Sequence, residues 1–287
     1  MAETAFQIQY RQEFIAGFEQ RQSIVRDSTT TEAVIKGNRA TFLVADSGPN
    51  ATAVTRGING MIPARGDNLQ QPVATLVEWH DLVRKTTFNV FASQGNQRAI
   101  MQQTSMGVVN RKIDNDIITV LDTATLNTGV ATTANMTMVN IAKASLGNGG
   151  VPFDGNIWAL ISPGFESYLM TNVAQFSSAD YVTRKPFPGA DPAWSDQPGF
   201  YQWLGVKWIV HPNLTDGGSG LSSEQCFMYH KSAIGHAYNS DDLQALAGYD
   251  EEQDYSWARC TIFMGSVKLQ NAGMIMMKHD GSALVAT

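Results

Sequence analysis

Arg98-Ala-Ile-Met-Gln-Gln-Thr-Ser-Met-Gly-Val-Val-Asn-Arg-Lys-Ile-Asp-Asn-Asp-Ile-Ile-Thr-Val-Leu-Asp-Thr-Ala-Thr-Leu126 reads as one long helix. No proline interrupts the chain between Pro72 and Pro152. Met106, Val109, Ile113, Ile117, Val120 and Ala124 recur at steps of three and four, which lines them along one stripe. Arg111, Lys112, Asp114, Asp116 and Asp122 fall between them and are expected to face water. Asn96 is the candidate N-cap and Gly129 lies just past the expected end. At 1.5 Å per residue the rod is roughly 40 Å long, more than a compact domain usually needs from one helix. It reads as a backbone on which several sheets are mounted.

The segments before the rod fit that picture. Arg39–Ala45 is strand-like and runs into the turn-rich Asp46-Ser-Gly-Pro-Asn-Ala-Thr52. Gly57, Gly60, Pro63, Gly66 and Pro72 punctuate the next twenty or so residues. Alternation then returns, with Val73, Thr75, Val77, Trp79 and Val83 on one face and Glu78, His80 and Arg84 on the other. Nearly thirty irregular residues between two strands are implausible inside a compact domain. They make sense in a hairpin that projects and is ordered on another molecule, with Ile58, Met61, Ile62 and Leu69 as its apolar contacts. Residues 1–37 read as an arm carrying Phe6, Ile8 and Tyr10, with a short helix near Glu13–Gln22.

Beyond the rod, Met136–Leu146 suggests a shorter helix and Ile157–Ile161 a buried strand. Ser162-Pro163 opens a helix through Phe165, Tyr168, Leu169 and Val173. Residues 177–200 are proline-rich loop. Trp203–His211 is a strand pair, or a strand entered through a turn at Gly205. Cys226–Tyr229, an alternating run from Tyr255 that Gly265 breaks, and Met274–Met277 supply further strands.

Composition limits the function. Charged residues make up 16% of the 287, against roughly 25% in a typical soluble protein, so much of the surface is expected to be covered by other copies. A net charge of −6 argues against a protein that coats DNA, though not against a wall that encloses it. Cys226 and Cys260 form no disulfide framework and read as buried thiols. No apolar run is long enough to span a membrane and no signal peptide opens the chain. Three Asn-x-Thr triplets, at Asn50, Asn135 and Asn213, read as chance.

The chain offers no catalytic motif: neither Gly-x-Ser-x-Gly nor a phosphate-binding Gly-rich loop is present. His80, His211, His230, His236 and His279 read as core or surface residues. Asp241, Asp242, Asp250, Glu251, Glu252 and Asp254 form an acidic run that admits a cation site. A solvated or interface face is the simpler reading. No cofactor is expected.

An extended hairpin, a long helix, an α/β region and a return of long strands, in that order, resemble the major capsid proteins of tailed double-stranded DNA bacteriophages. These share the Hong Kong 97-type fold, of α+β class. The hairpin over 38–85, with Ala64-Arg-Gly-Asp-Asn-Leu69, is similar to the family's E-loop, and Arg98–Leu126 to its spine helix. Ala159–Leu169, Gly205–Pro212 and His230–Gly235 are similar to parts of its axial domain, and Tyr255–Lys278 to strands that return to its peripheral domain. The resemblance implies an N-terminal arm over 1–37 and an E-loop over 38–85. It further implies a peripheral domain over 86–130 and 243–287, and an axial domain over 131–242.

The implied role is structural. Subunits would assemble into pentamers and hexamers of an icosahedral head around double-stranded DNA, with no sequence-specific binding, no enzyme activity and no membrane. The implied inter-subunit residues are Arg39, Arg56, Ile58, Met61, Ile62, Arg65, Asp67 and Leu69 on the loop, with Phe6, Ile8 and Tyr10 on the arm. Assembly would take place in the host cytoplasm, with a portal and in some cases a decoration protein. Some relatives carry a scaffold segment before the fold; here the hairpin begins within forty residues of Met1, so a separate scaffolding protein is expected. Some relatives weld the E-loop to a neighbour through a lysine–asparagine bond, but Asn38–Arg84 contains no lysine. The alternatives are an encapsulin-type shell on the same fold, a soluble α/β enzyme, and a DNA-binding module, which the charge disfavours.

Overall fold

The computed structural model describes residues 22–32, 35, 37–47, 51–66, 68–92, 96–172, 200–215, 223–239 and 244–282. The strands are β1 (Thr30–Glu32), β2 (Arg39–Thr41), β3 (Val44–Asp46), β4 (Asn68–Gln70), β5 (Val73–Thr75), β6 (Val77–Thr86), β7 (Leu126–Asn127), β8 (Ile157–Ile161), β9 (Phe200–Trp203), β10 (Val206–Val210), β11 (Glu224–His230), β12 (Ile234–Tyr238), β13 (Gln244–Asp250), β14 (Tyr255–Lys268) and β15 (Met274–His279). The helices are α1 (Thr87–Ala92), α2 (Gln97–Leu121), α3 (Met136–Asn148) and α4 (Pro163–Asn172).

The rod is α2. Asn96 caps it as expected, its side chain accepting the N–H of Ala99 at 3.3 Å. Its buried ridge is Met101, Ser105, Val109, Ile113, Ile117 and Leu121, a strict four-residue step. Met106, expected on the stripe, is exposed. Asp114, expected in water, is wholly buried. The rod also stops five residues short of Leu126. The Thr123 hydroxyl donates to Val120 O at 2.7 Å, and the Thr123 and Ala124 N–H groups bond three residues back, tightening the last turn. Leu126–Asn127 is then drawn into a parallel pairing with β15, which outweighs its weak preference for helix.

Two sheets share one core. The first runs β1-β12-β14-β13, with β6 also on β14 in register from Val77 opposite Met264 to Thr86 opposite Tyr255. The second runs β7-β15-β11-β8-β10-β9. Its centre, β8, is buried along its whole length, as befits Ile-Trp-Ala-Leu-Ile with strands on both sides. Leu204 and Gly205 both take positive φ (54° and 74°), so β9 and β10 are joined by a tight hairpin turn; the strand-pair reading of this stretch holds. In α4, Ser162 caps the helix by accepting the Phe165 N–H at 3.1 Å.

Several expectations are corrected. The expected hairpin spans 38–85, but only β2/β5 and β3/β4 form it. Val77–Thr86 is instead a body strand along β14, and the alternation slips a phase at Leu76, so that Ala74 is buried while Val73, Thr75 and Val77 are exposed. Gly265 does not end a strand, because β14 passes through it to Lys268. The 130/131 and 242/243 boundaries do not follow sheet membership: β7 and β15 lie in the six-stranded sheet, and β12 lies in the five-stranded one. The arm residues Phe6, Ile8 and Tyr10, the expected Glu13–Gln22 helix apart from Gln22, and residues 177–199 of the proline-rich loop fall outside the described residues.

Candidate assembly surface

The hairpin is rooted but not covered. At the root Ala40, Ala74 and Ala237 form a small buried cluster with Ile35, against which Phe42, Leu76 and Val267 pack. Beyond it, β3 and β4 pair for three residues and no core lies past them among the described residues. The tip turns at Gly57–Met61, where the Gly57 N–H reaches Met61 O at 3.0 Å and the Gly60 N–H reaches Gly57 O at 2.8 Å. Gly60 adopts φ 72°, which suits glycine.

Ile58 is fully exposed, and Met61, Ile62 and Leu69 retain 75%, 67% and 58% of their surface. A two-stranded ribbon alone is at best marginally stable in water, and an exposed apolar patch of this kind marks a contact surface. Burying four such side chains is worth about 6–12 kcal/mol gross at ~1.5–3 kcal/mol each. Arg39 and Arg56 are exposed. Arg65 is exposed but engaged, donating to Ser47 O at 3.0 Å, so it braces the two legs of the tip. A shallow cleft of ≈ 410 Å³ between those legs is lined by Ser47, Val54, Ile62 and Pro63, with Arg65 at its side. Asp67 lies outside the described residues.

The N-terminal segment enters the body at a buried carboxylate. Asp114 accepts the Ser23 hydroxyl at 2.5 Å, the Ile24 N–H at 3.0 Å and the Val25 N–H at 3.2 Å. His211 Nδ1 accepts the Asn213 N–H, so Nε2 carries the proton and faces Asp114 at 3.4 Å. Burial pushes the Asp114 carboxyl up, but these donors together hold it below the usual carboxylate range. Ser28 donates to Val25 O and receives the Tyr229 hydroxyl at 2.5 Å. One carboxylate thus ties the arm's anchor to α2 and to the six-stranded sheet. The sequence held a signal for it: Asp114, Ile117, Ile118 and Leu121 are themselves spaced as a helical stripe.

Four of the five histidines, His211, His230, His236 and His279, are buried. His279 Nδ1 accepts the Ala134 N–H at 3.0 Å, and both Phe165 and Tyr168 meet its ring edge-on. Burial holds its pKa below the ordinary value. Ser162, Glu224 and His279 come together as a hydrolase set would, but not in a hydrolase's geometry. The serine donates to Glu224 at 2.6 Å, the histidine stands 3.9 Å from that carboxylate, and all three are buried. His236 Nδ1 bonds Ser266, whose hydroxyl donates to Asp116 at 2.6 Å, and burial pushes its pKa down to about 4.

The acidic run is turn chemistry: Asp250 accepts the N–H groups of Glu252 and Gln253, and Asp254 accepts the hydroxyls of Thr87 and Tyr249. Asp241 and Asp242 lie outside the described residues, among which no metal-ligating cluster of His, Cys, Asp or Glu occurs. Also among the described residues, no helix is long and apolar enough to cross a membrane.

The sequence profile described as phage capsid protein matches residues 2–281. The chain belongs to that family. Solved structures agree on the fold. The chain is similar to one of Mycobacterium phage Che8 (16% identity, 96% of this chain and 98% of that one, TM-score 0.72). It is also similar to the capsid of cyanophage P-SCSP1u (12%, 96% and 93%, 0.71) and to the capsid of Ralstonia phage GP4 (13%, 97% and 96%, 0.70). No curated protein sequence matches. The fold is therefore the Hong Kong 97-type α+β architecture. The chain is a phage capsid protein, a structural protein whose place is the capsid of the virion. A nanocompartment shell is not favoured.

Proposed function

We propose that this capsid protein closes its shell by laying the hairpin tip across a neighbouring copy. Ile58, Met61, Ile62 and Leu69 enter that neighbour's surface, and Arg39, Arg56, Arg65 and Asp67 form the polar margin. The observation that carries this is the exposed apolar tip of a ribbon that, among the described residues, has no core beyond its root. The arm residues Phe6, Ile8 and Tyr10 reach a second neighbour from the Asp114 anchor. Linking each subunit to several others makes loss of any one rare, because every contact raises the effective concentration of the rest.

In this reading α2 and the five-stranded sheet form the peripheral domain. The six-stranded sheet with α3 and α4 forms the axial domain, meeting its copies around the axes of pentamers and hexamers. The subunit has no enzymatic role. Assembly takes place in the host cytoplasm with a separate scaffolding protein and a portal, and a decoration protein is a further candidate partner. Double-stranded DNA is enclosed without sequence-specific contact, in keeping with the net charge of −6.

The double variant Ile58→Asp/Met61→Asp tests the clasp. Both positions are solvent-exposed in the subunit, so its melting temperature should not move, while shells seen by negative-stain microscopy should disappear. Normal shells from this variant would refute the reading.

A further inference from the structure

The root of the hairpin rests on glycine. A Cβ placed on Gly265 of β14 would lie 2.2 Å from Thr75 O and 2.9 Å from the Thr75 carbonyl carbon, both backbone atoms. A Cβ on Gly235 of β12 would lie 2.9 Å from the ring of Phe42. The two strands are neighbours, with Gly235 opposite Val267 and Ala237 opposite Gly265. These residues share one face of the five-stranded sheet. His236 and Ser266 point to the other, where Ser266 bonds Asp116 of α2. The hairpin presents its own small residues there, Ala40 and Ala74, both buried. Small side chains on both sides let backbone meet backbone.

Resting on the reading of the hairpin as the inter-subunit clasp, we propose that Gly265 and Gly235 form a notch that sets the angle at which the hairpin leaves the body, and so the curvature of the shell. No rotamer can relieve a clash with Thr75 O, because the atom belongs to the backbone. An alanine at 265 forces the root back by about 1 Å. Across a strand spacing of roughly 4.8 Å that is a tilt of about 12°. At Gln70, five residues further along and roughly 17 Å away, the displacement is about 3.5 Å. At the tip, up to roughly 50 Å away, it is about 10 Å. A contact aimed at a neighbour cannot absorb that without moving the neighbour.

The test measures the angle in the subunit and the outcome in the shell. Spin labels on Gln70→Cys and Asn115→Cys, both exposed, report the distance by electron–electron resonance. Cys226 and Cys260 are buried and stay unlabelled. Gly265→Ala should shift the distance by about 3.5 Å and yield shells of altered diameter or open sheets. Gly66→Ala, which has open space at its Cβ, should change neither. An unshifted distance, or wild-type shells, from Gly265→Ala overturns the inference. Should Gly265→Ala fail to fold, Phe42→Ala decides. Removing the ring that fills the notch should broaden the same distance distribution, and an unchanged distribution overturns the inference. The distance is read in unassembled subunits, so it stands apart from the tip variant: normal shells from Ile58→Asp/Met61→Asp would sink the clasp and leave the notch measurement intact.

Discussion

Replacing Asp114 by alanine should loosen the N-terminal anchor before anything else. The carboxylate is fully buried and accepts three hydrogen bonds from Ser23, Ile24 and Val25, with the His211 N–H facing it. Its removal strands the Val25 N–H and the His211 N–H away from water. A hydrogen bond to a charged group contributes about 1.5–3 kcal/mol, and orphaning a buried partner costs about 3–5 kcal/mol. Taking ~3–5 kcal/mol for the whole junction, the melting temperature of the unassembled chain should fall by about 10 °C. Local opening should exceed global unfolding, so tryptic cleavage after Arg26 should accelerate by about 100-fold.

Asp114→Asn keeps the shape but turns an amide N–H toward donors, and should cost somewhat less. The pH dependence carries a sign. The folded carboxyl titrates below its unfolded value, so its contribution is present above about pH 4 and is lost as pH falls through the folded pKa. Calorimetry on Asp114→Ala should therefore show that increment missing at neutral pH and the acid-side loss reduced. A melting temperature within about 2 °C of wild type, with unchanged cleavage, would refute the account of this junction.

His236 is buried with a pKa near 4 against an ordinary 6.5; the folded chain resists its protonation, so stability should erode by about 3 kcal/mol as pH falls from 6.5 to 4, and His236→Gln should flatten that slope in urea titrations. Cys226, pushed up to about 12 by burial, and Cys260 should not react with a thiol reagent until the chain is unfolded, and non-reducing gels should show no disulfide-linked species. Shells boiled in denaturant should run as monomer, because the stretch Asn38–Arg84 has no lysine to weld; a persistent ladder would show that a covalent link forms elsewhere.

The rod, its Asn96 cap, the fully apolar β8, the Ser162 cap and the order of elements are all legible in the sequence, because each is fixed by local spacing and capping chemistry. What misled was where periodicity meets a partner distant in the chain. The same alternation continues through Val73–Val83, yet the strand changes phase at Leu76, because its first part pairs within the hairpin and its second along β14. Gly265 looks like a strand break, and only the approach of Thr75 explains it. Asp114 looks like a surface charge until Ser23 to Val25 arrive from ninety residues away.

Residue spacing alone was enough to read a long helix with a buried stripe and a turn-rich hairpin with an apolar tip. Short-range order needs only neighbours along the chain. Three-dimensional packing was needed to assign strands to sheets, sending β12 to one and β15 to the other, and to join arm, helix and sheet at a single buried carboxylate. Those choices depend on long-range pairing and burial, which no window of sequence contains.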